Sequence, residues 1–187
     1  MLEEWPDEAD RPLVTSPDEP RAGHANQTLL RQVHEHLRAE LATIVEALGE
    51  LALGAGGVDH QSAAGDVRAM IQRLTSRQER YSLGAFCAAY CRVLATHHAI
   101  EDQRLFPDIG AAEPALVPVL ERLSAEHEVI SELLLRLDEA VVALVADQTM
   151  VAATSAAADR LAEVLRSHLG YEEEQLLGPL GRLPVGI

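Results

Sequence analysis

The sequence predicts an all-α protein: an up-down-up-down four-helix bundle with an additional short helix between the first and second long helices. Three observations carry that expectation. Apolar residues recur at helical spacing over four long stretches, and no segment alternates with period two between hairpin turns. Hydrophobic residues make up 48% of the chain and aromatics only 3%, so Leu, Val, Ile and Ala must build the core. That palette favours helices over strands. At 187 residues the chain suits one domain, and four amphipathic helices with modest connections close most economically into a bundle.

Residues 1–25 read as a flexible, acidic, proline-rich arm, in which Trp5 offers a point of attachment. The bundle is assigned to 26–187. Its first helix runs from about Asn26 to about Leu53 on Leu30, Val33, Leu37, Leu41, Ile44 and Leu48, and ends at Gly54, Gly56 and Gly57. The short helix spans Asp66 to about Arg77, with Val67, Met70, Ile71 and Leu74 on one side. The second long helix, from about Ser82, carries Leu83, Phe86, Tyr90, Val93 and Leu94 and stops after Phe106 at Pro107. A third starts near Pro114, tolerated in a first turn, and reaches Ala146. The fourth runs from about Met150 to Leu177, before Pro179.

The formal charge of −15, from 30 acidic and 15 basic residues, repels phosphate and argues against nucleic acid and anionic membrane as partners. No apolar run is long enough to span a bilayer, and no basic-then-apolar leader opens the chain. Cys87 and Cys91 lie one helical turn apart, poorly aimed for a disulfide, and read as reduced thiols filling the core of a cytoplasmic protein.

The informative residues are histidines that stand where a leucine belongs. His127 falls between Leu123 and Ile130 on the third helix, and His34 shares the first helix's face with Leu30, Leu37 and Leu41. Phe86, Tyr90, Val93 and Leu94 point His97 inward, and Leu161, Val164 and Leu165 do the same for His168. Glu101 and Glu172 follow those two histidines by one turn, on the same face. A buried carboxylate costs several kcal/mol unless charge or hydrogen bonds compensate it. A cation in the core explains both. Four imidazoles and two carboxylates serve two metals if both carboxylates bridge, and this donor set suits iron, manganese or zinc.

Two assignments rest on helix phase. His34 is favoured over His36 by the Leu30, Leu37, Leu41 stripe. His97 is favoured over His98, which is turned about 100° away and left to hydrogen-bond Asp102 or support the site from outside. Glu173 reads as a surface position.

The stretches VHEHLRAEL, THHAIEDQRLFP, SAEHEVISELL and SHLGYEEEQLLGPL, across about residues 26 to 180, resemble the hemerythrin-like family of HHE cation-binding domains. The resemblance implies a non-haem centre of two iron ions, bridged by carboxylates and an oxo or hydroxo group. It implies His34, His97, Glu101, His127, His168 and Glu172 as ligands, with Glu101 and Glu172 as bridges. The oxygen carriers of that family have two histidines one turn apart on the third helix. Here Leu123 and Ser131 flank His127 at that spacing, which predicts a less saturated iron. No ExxH pair of the ferritin-like enzymes is present. The expected function is binding of O2, peroxide or NO. The alternatives are peroxide decomposition at the open iron, or an iron, oxygen or redox sensor acting through a separate partner.

Overall fold

The computed structural model describes residues 5–14, 25–54 and 63–182. Its long helices are α1 (Ala25–Gly54), α2 (Ala63–Ile100), α4 (Val117–Ala146) and α5 (Val151–Leu180), with a short α3 (Phe106–Ala112) between α2 and α4. α1 packs on α2 and α5, and α4 packs on α2 and α5, which closes a ring of four around one core. Leu37, Leu41, Ile44 and Leu48 of α1 meet Leu83, Cys87, Tyr90 and Leu94 of α2, Ile130, Leu137 and Leu144 of α4, and Leu161 and Leu165 of α5. A second cluster at the other end joins Leu30, Phe106, Ile109, Leu116, Leu120, Leu123, Leu176 and Leu180. Between the two apolar clusters lie the histidines. Among the described residues no helix is long and apolar enough to cross a membrane.

Four differences from the sequence expectation bear on the site. Residues 66–77 are not a separate helix but the first part of the 38-residue α2. The side chains of Val67, Met70, Ile71 and Leu74 lie outside the described residues, as do Gly56 and Gly57.

Pro107 does not end the second helix. Residues Glu101–Leu105 form a π turn in which the Phe106 N–H donates to the Glu101 carbonyl, five residues back, and α3 then starts with Pro107 in its first turn. Proline in an α-helix removes one hydrogen bond and clashes with the carbonyl four residues back. The wider turn just before it changes that spacing, and such turns recur at functional sites. Pro179 likewise lies inside α5, in its last turn, where little helix remains to disrupt.

The inward face of α2 is rotated from the expected one. Val93 is 46% exposed, whereas Cys87 is fully buried in line with Leu83, Tyr90 and Leu94. Finally, the arm is not free over residues 5–14. Trp5 packs on the main core cluster, the Tyr171 hydroxyl donates to the Pro12 carbonyl (2.6 Å), and the Val14 N–H donates to Gln175 Oε1 (2.9 Å). Residues 1–4 and 15–24 lie outside the described residues.

Candidate metal centre

Each long helix sends at least one histidine into the space between the two apolar clusters. His34 comes from α1, His97 and His98 from α2, His127 from α4 and His168 from α5, with Glu101 in the π turn and Glu172 on α5. All are buried except His97, which is nearly so. They form two groups able to hold a metal ion, His98/His127/His168 and His34/His97/Glu101/Glu172, with one donor atom per residue lying within 4.8 Å of the others in its group.

The carboxylates stand between the groups. Glu101 Oε1 lies 3.2 Å from His97 Nε2, while its Oε2 lies 3.6 Å from His127 Nε2. Glu172 Oε2 lies 3.3 Å from His34 Nε2 and 3.9 Å from His168 Nε2. Each glutamate thus faces a histidine of both groups. The His127 and His168 Nε2 atoms are 3.1 Å apart.

Outside this ring, carboxylates hold the far nitrogens. His34 Nδ1 lies 2.9 Å from Glu173 Oε1, which also accepts from Arg38 (2.7 Å). His127 Nδ1 lies 3.0 Å from Asp102 Oδ1, which accepts from Ser124 Oγ (2.7 Å). His168 Nδ1 lies 3.1 Å from Glu126 Oε2. With Nδ1 engaged outward, each ring presents Nε2 to the centre, the arrangement that fixes the tautomer of a ligating histidine.

Burial and proximity set the protonation of the metal-free pocket. Burial, with the surrounding imidazoles, pushes His97 down to about 4 and His98 well below the usual histidine range. Burial and the charge of His127 also lower His168, against the pull of Glu126. These three rings are neutral, with the lone pairs metal binding requires. Burial and the neighbouring Glu172 raise Glu101 well above the carboxylate range. Burial would raise Glu172 too, but the His34 imidazole, 3.3 Å away, prevails and lowers it. His34 is raised, since Glu172 and Glu173 outweigh its burial. Glu126 is held down to about 2 despite its burial by hydrogen bonds from His168, Arg11 and Arg122.

All six residues expected from sequence therefore meet in one place. His36 does not join them; its side chain is 62% exposed and pairs with Glu40. The sequence reading missed His98, which is 3% exposed and completes the first group from α2. Its ring stacks on His127 with centroids 4.0 Å apart, and Asp102 contacts His127 instead of His98. The fully buried Cys87 was the available signal, because His98 follows the Cys87, Leu94 stripe four residues beyond Leu94. His98 thus brings a third imidazole, from α2, beside His127 and His168. Glu173 is no surface bystander, as it engages His34, and Glu126 was not singled out at all.

No curated protein and no solved structure matches the chain. The family model of the hemerythrin HHE cation-binding domain matches residues 25–180, which include α1 through α5 and every member of both histidine groups. The chain belongs to the hemerythrin HHE cation-binding domain family.

Proposed function

We propose that the chain is a non-haem di-iron protein that binds O2, peroxide or NO at the His/Glu centre of its bundle. One observation carries this reading. His34 Nε2, His97 Nε2, both nitrogens of His98 and both oxygens of Glu101 and of Glu172 are buried without a hydrogen-bond partner. An unsatisfied buried polar group costs about 1–3 kcal/mol, and more when charged, so so many in one place need a common partner. A pair of cations would satisfy all of these but one nitrogen of His98, since each ring offers a single donor atom to a metal.

Imidazole and carboxylate without thiolate suit iron. His98, His127 and His168 would hold one ion and His34 and His97 the other, with Glu101 and Glu172 spanning both. Iron supplies a Lewis acid and a redox couple toward a small ligand. The chain's own residues shape the access. Two imidazoles against three make the His34/His97 side the more open one, so the small molecule is assigned there. Glu173 and Asp102 keep the His34 and His127 rings from turning, and the apolar clusters on either side keep bulk water out.

Protein purified from iron-replete cells should contain about two irons per chain, as a two-metal site requires, with near-ultraviolet charge-transfer bands. Adding NO or peroxide should change that spectrum, and His97→Ala should abolish the response. An iron-loaded spectrum indifferent to both molecules contradicts the assigned ligands. Sustained peroxide consumption separates an enzyme from a binding protein.

A second expectation follows from the facing of α1. His34→Ala should remove most of the bound iron, whereas His36→Ala, on the exposed face, should retain it within error. Metal analysis of the two variants decides, and the reverse order would place His36 in the centre.

A further inference from the structure

We propose that Arg11 of the N-terminal arm is a positioning residue of the metal centre, acting on His168 through Glu126. The inference rests on the metal reading above, and the geometry for it is independent of which ligand the metal binds.

Glu126 is 0% exposed, yet it is a carboxylate one residue from His127. A carboxylate so placed is tolerable only with cations and donors on its oxygens. Arg122, one turn earlier on α4, reaches Oε1 alone, at 2.8 Å. Arg11 takes both oxygens, with Nε 2.8 Å from Oε1 and Nη2 3.0 Å from Oε2. Oε2 is also the atom 3.1 Å from His168 Nδ1. Only Arg11 of the two arginines therefore engages the oxygen that orients the histidine. A fork of this kind fixes the carboxylate plane as well as its charge.

The arm is built to hold that fork in place. Arg11 Nη1 donates to Ser167 Oγ (2.9 Å), the residue before His168. Its guanidinium lies 4.7 Å from the ring centre of Tyr171, the residue before Glu172. The Tyr171 hydroxyl returns a hydrogen bond to Pro12, and Arg122 Nη2 donates to the Asp7 carbonyl (2.7 Å). The arm thus touches the neighbours of two members of the centre. Without Arg11, the Glu126 carboxylate is free to turn onto Arg122, and His168 loses the partner that aims its Nε2 inward.

Outer carboxylate partners of ligating histidines typically contribute 10–100-fold to metal affinity. In full-length protein loaded with Co2+, Arg11→Ala should release the metal to EDTA about tenfold faster than wild type. The visible cobalt bands, which report the donor geometry, should also shift. Arg11→Lys keeps the charge without the fork and should recover only part of the rate. Arg160→Ala, which breaks the exposed pair with Glu163, should match wild type. Equal release and identical cobalt bands in wild type and Arg11→Ala would overturn this inference alone. Wild-type protein that takes up no metal would overturn the metal reading and this inference with it.

Should Arg11→Ala fail to fold, wild type supplies the reciprocal measurement. Coupling is symmetric in binding free energy, so metal must also tighten the arm. Trp5, the single tryptophan of the chain, lies in that arm. Zn2+ binding should shift its emission and slow its quenching by iodide, and an unchanged Trp5 signal at zinc saturation contradicts the coupling.

Discussion

Glu101→Gln and Glu172→Gln are each expected to eliminate the stabilisation by iron while leaving the metal-free fold standing. Glu101 directs one oxygen at His97 and the other at His127, and Glu172 lies between His34 and His168. In the proposed centre, removing either charge would deprive both ions of a donor at once. The metal-free protein loses less, because Glu101 has no hydrogen-bond partner there and is crowded by Glu172, and Glu172 faces only the His34 ring at 3.3 Å and the His168 ring at 3.9 Å. A ligand present at a thousand times its dissociation constant, and bound only by the folded state, contributes about 4 kcal/mol. In a domain of this size each kcal/mol moves the melting temperature by roughly 2–4 °C. Iron should therefore raise the wild-type midpoint by on the order of 10 °C, and neither variant should respond. Thermal melts with and without iron test this, with the exposed Glu50→Gln as the control that keeps the full rise. A full iron-dependent rise in both glutamine variants would mean that the carboxylates do not bridge.

His98→Leu is expected to lower the iron content from about two per chain to about one. The substitution keeps an apolar side chain on the buried face of α2 and removes one of only three nitrogens in the His98/His127/His168 group. The other group keeps all four of its members, so its ion should stay. Both ring nitrogens of His98 lack a hydrogen-bond partner, so leucine leaves no protein donor or acceptor stranded. Metal analysis beside wild type is the measurement. Two irons retained in His98→Leu would show that the stacked His98 ring only packs on His127.

The bundle was legible because its core obeys helical spacing almost without exception. Leu37, Leu41, Ile44 and Leu48 recur every three or four residues and are all buried. The same stripe put His34 rather than His36 on the buried face, since two residues' rotation, about 200°, separates a core position from an exposed one. On α2 the pattern misled. Val93 is apolar and exposed, while Cys87, a modest hydrophobe, is fully buried. Weighting Val93 turned the inferred face away from His98 by about one residue.

The π turn could not be read either, because proline signals a break and spacing alone does not show how a turn absorbs it. Arg11 and Glu126 lie 115 positions apart in sequence. No local periodicity links an arm rich in proline and acid to a buried carboxylate on α4. Their pairing, like that of His34 with Glu173, is set by tertiary packing.

In the proposed centre two metal ions lie in the bundle, one in each histidine group. Anomalous scattering at the iron absorption edge, from crystals of protein grown with iron, tests it most directly. Two peaks about 3.5–4 Å apart are expected, one among His98, His127 and His168 and the other beside His34 and His97, with Glu101 and Glu172 between them. A single peak, or none at full occupancy of the protein, would contradict it.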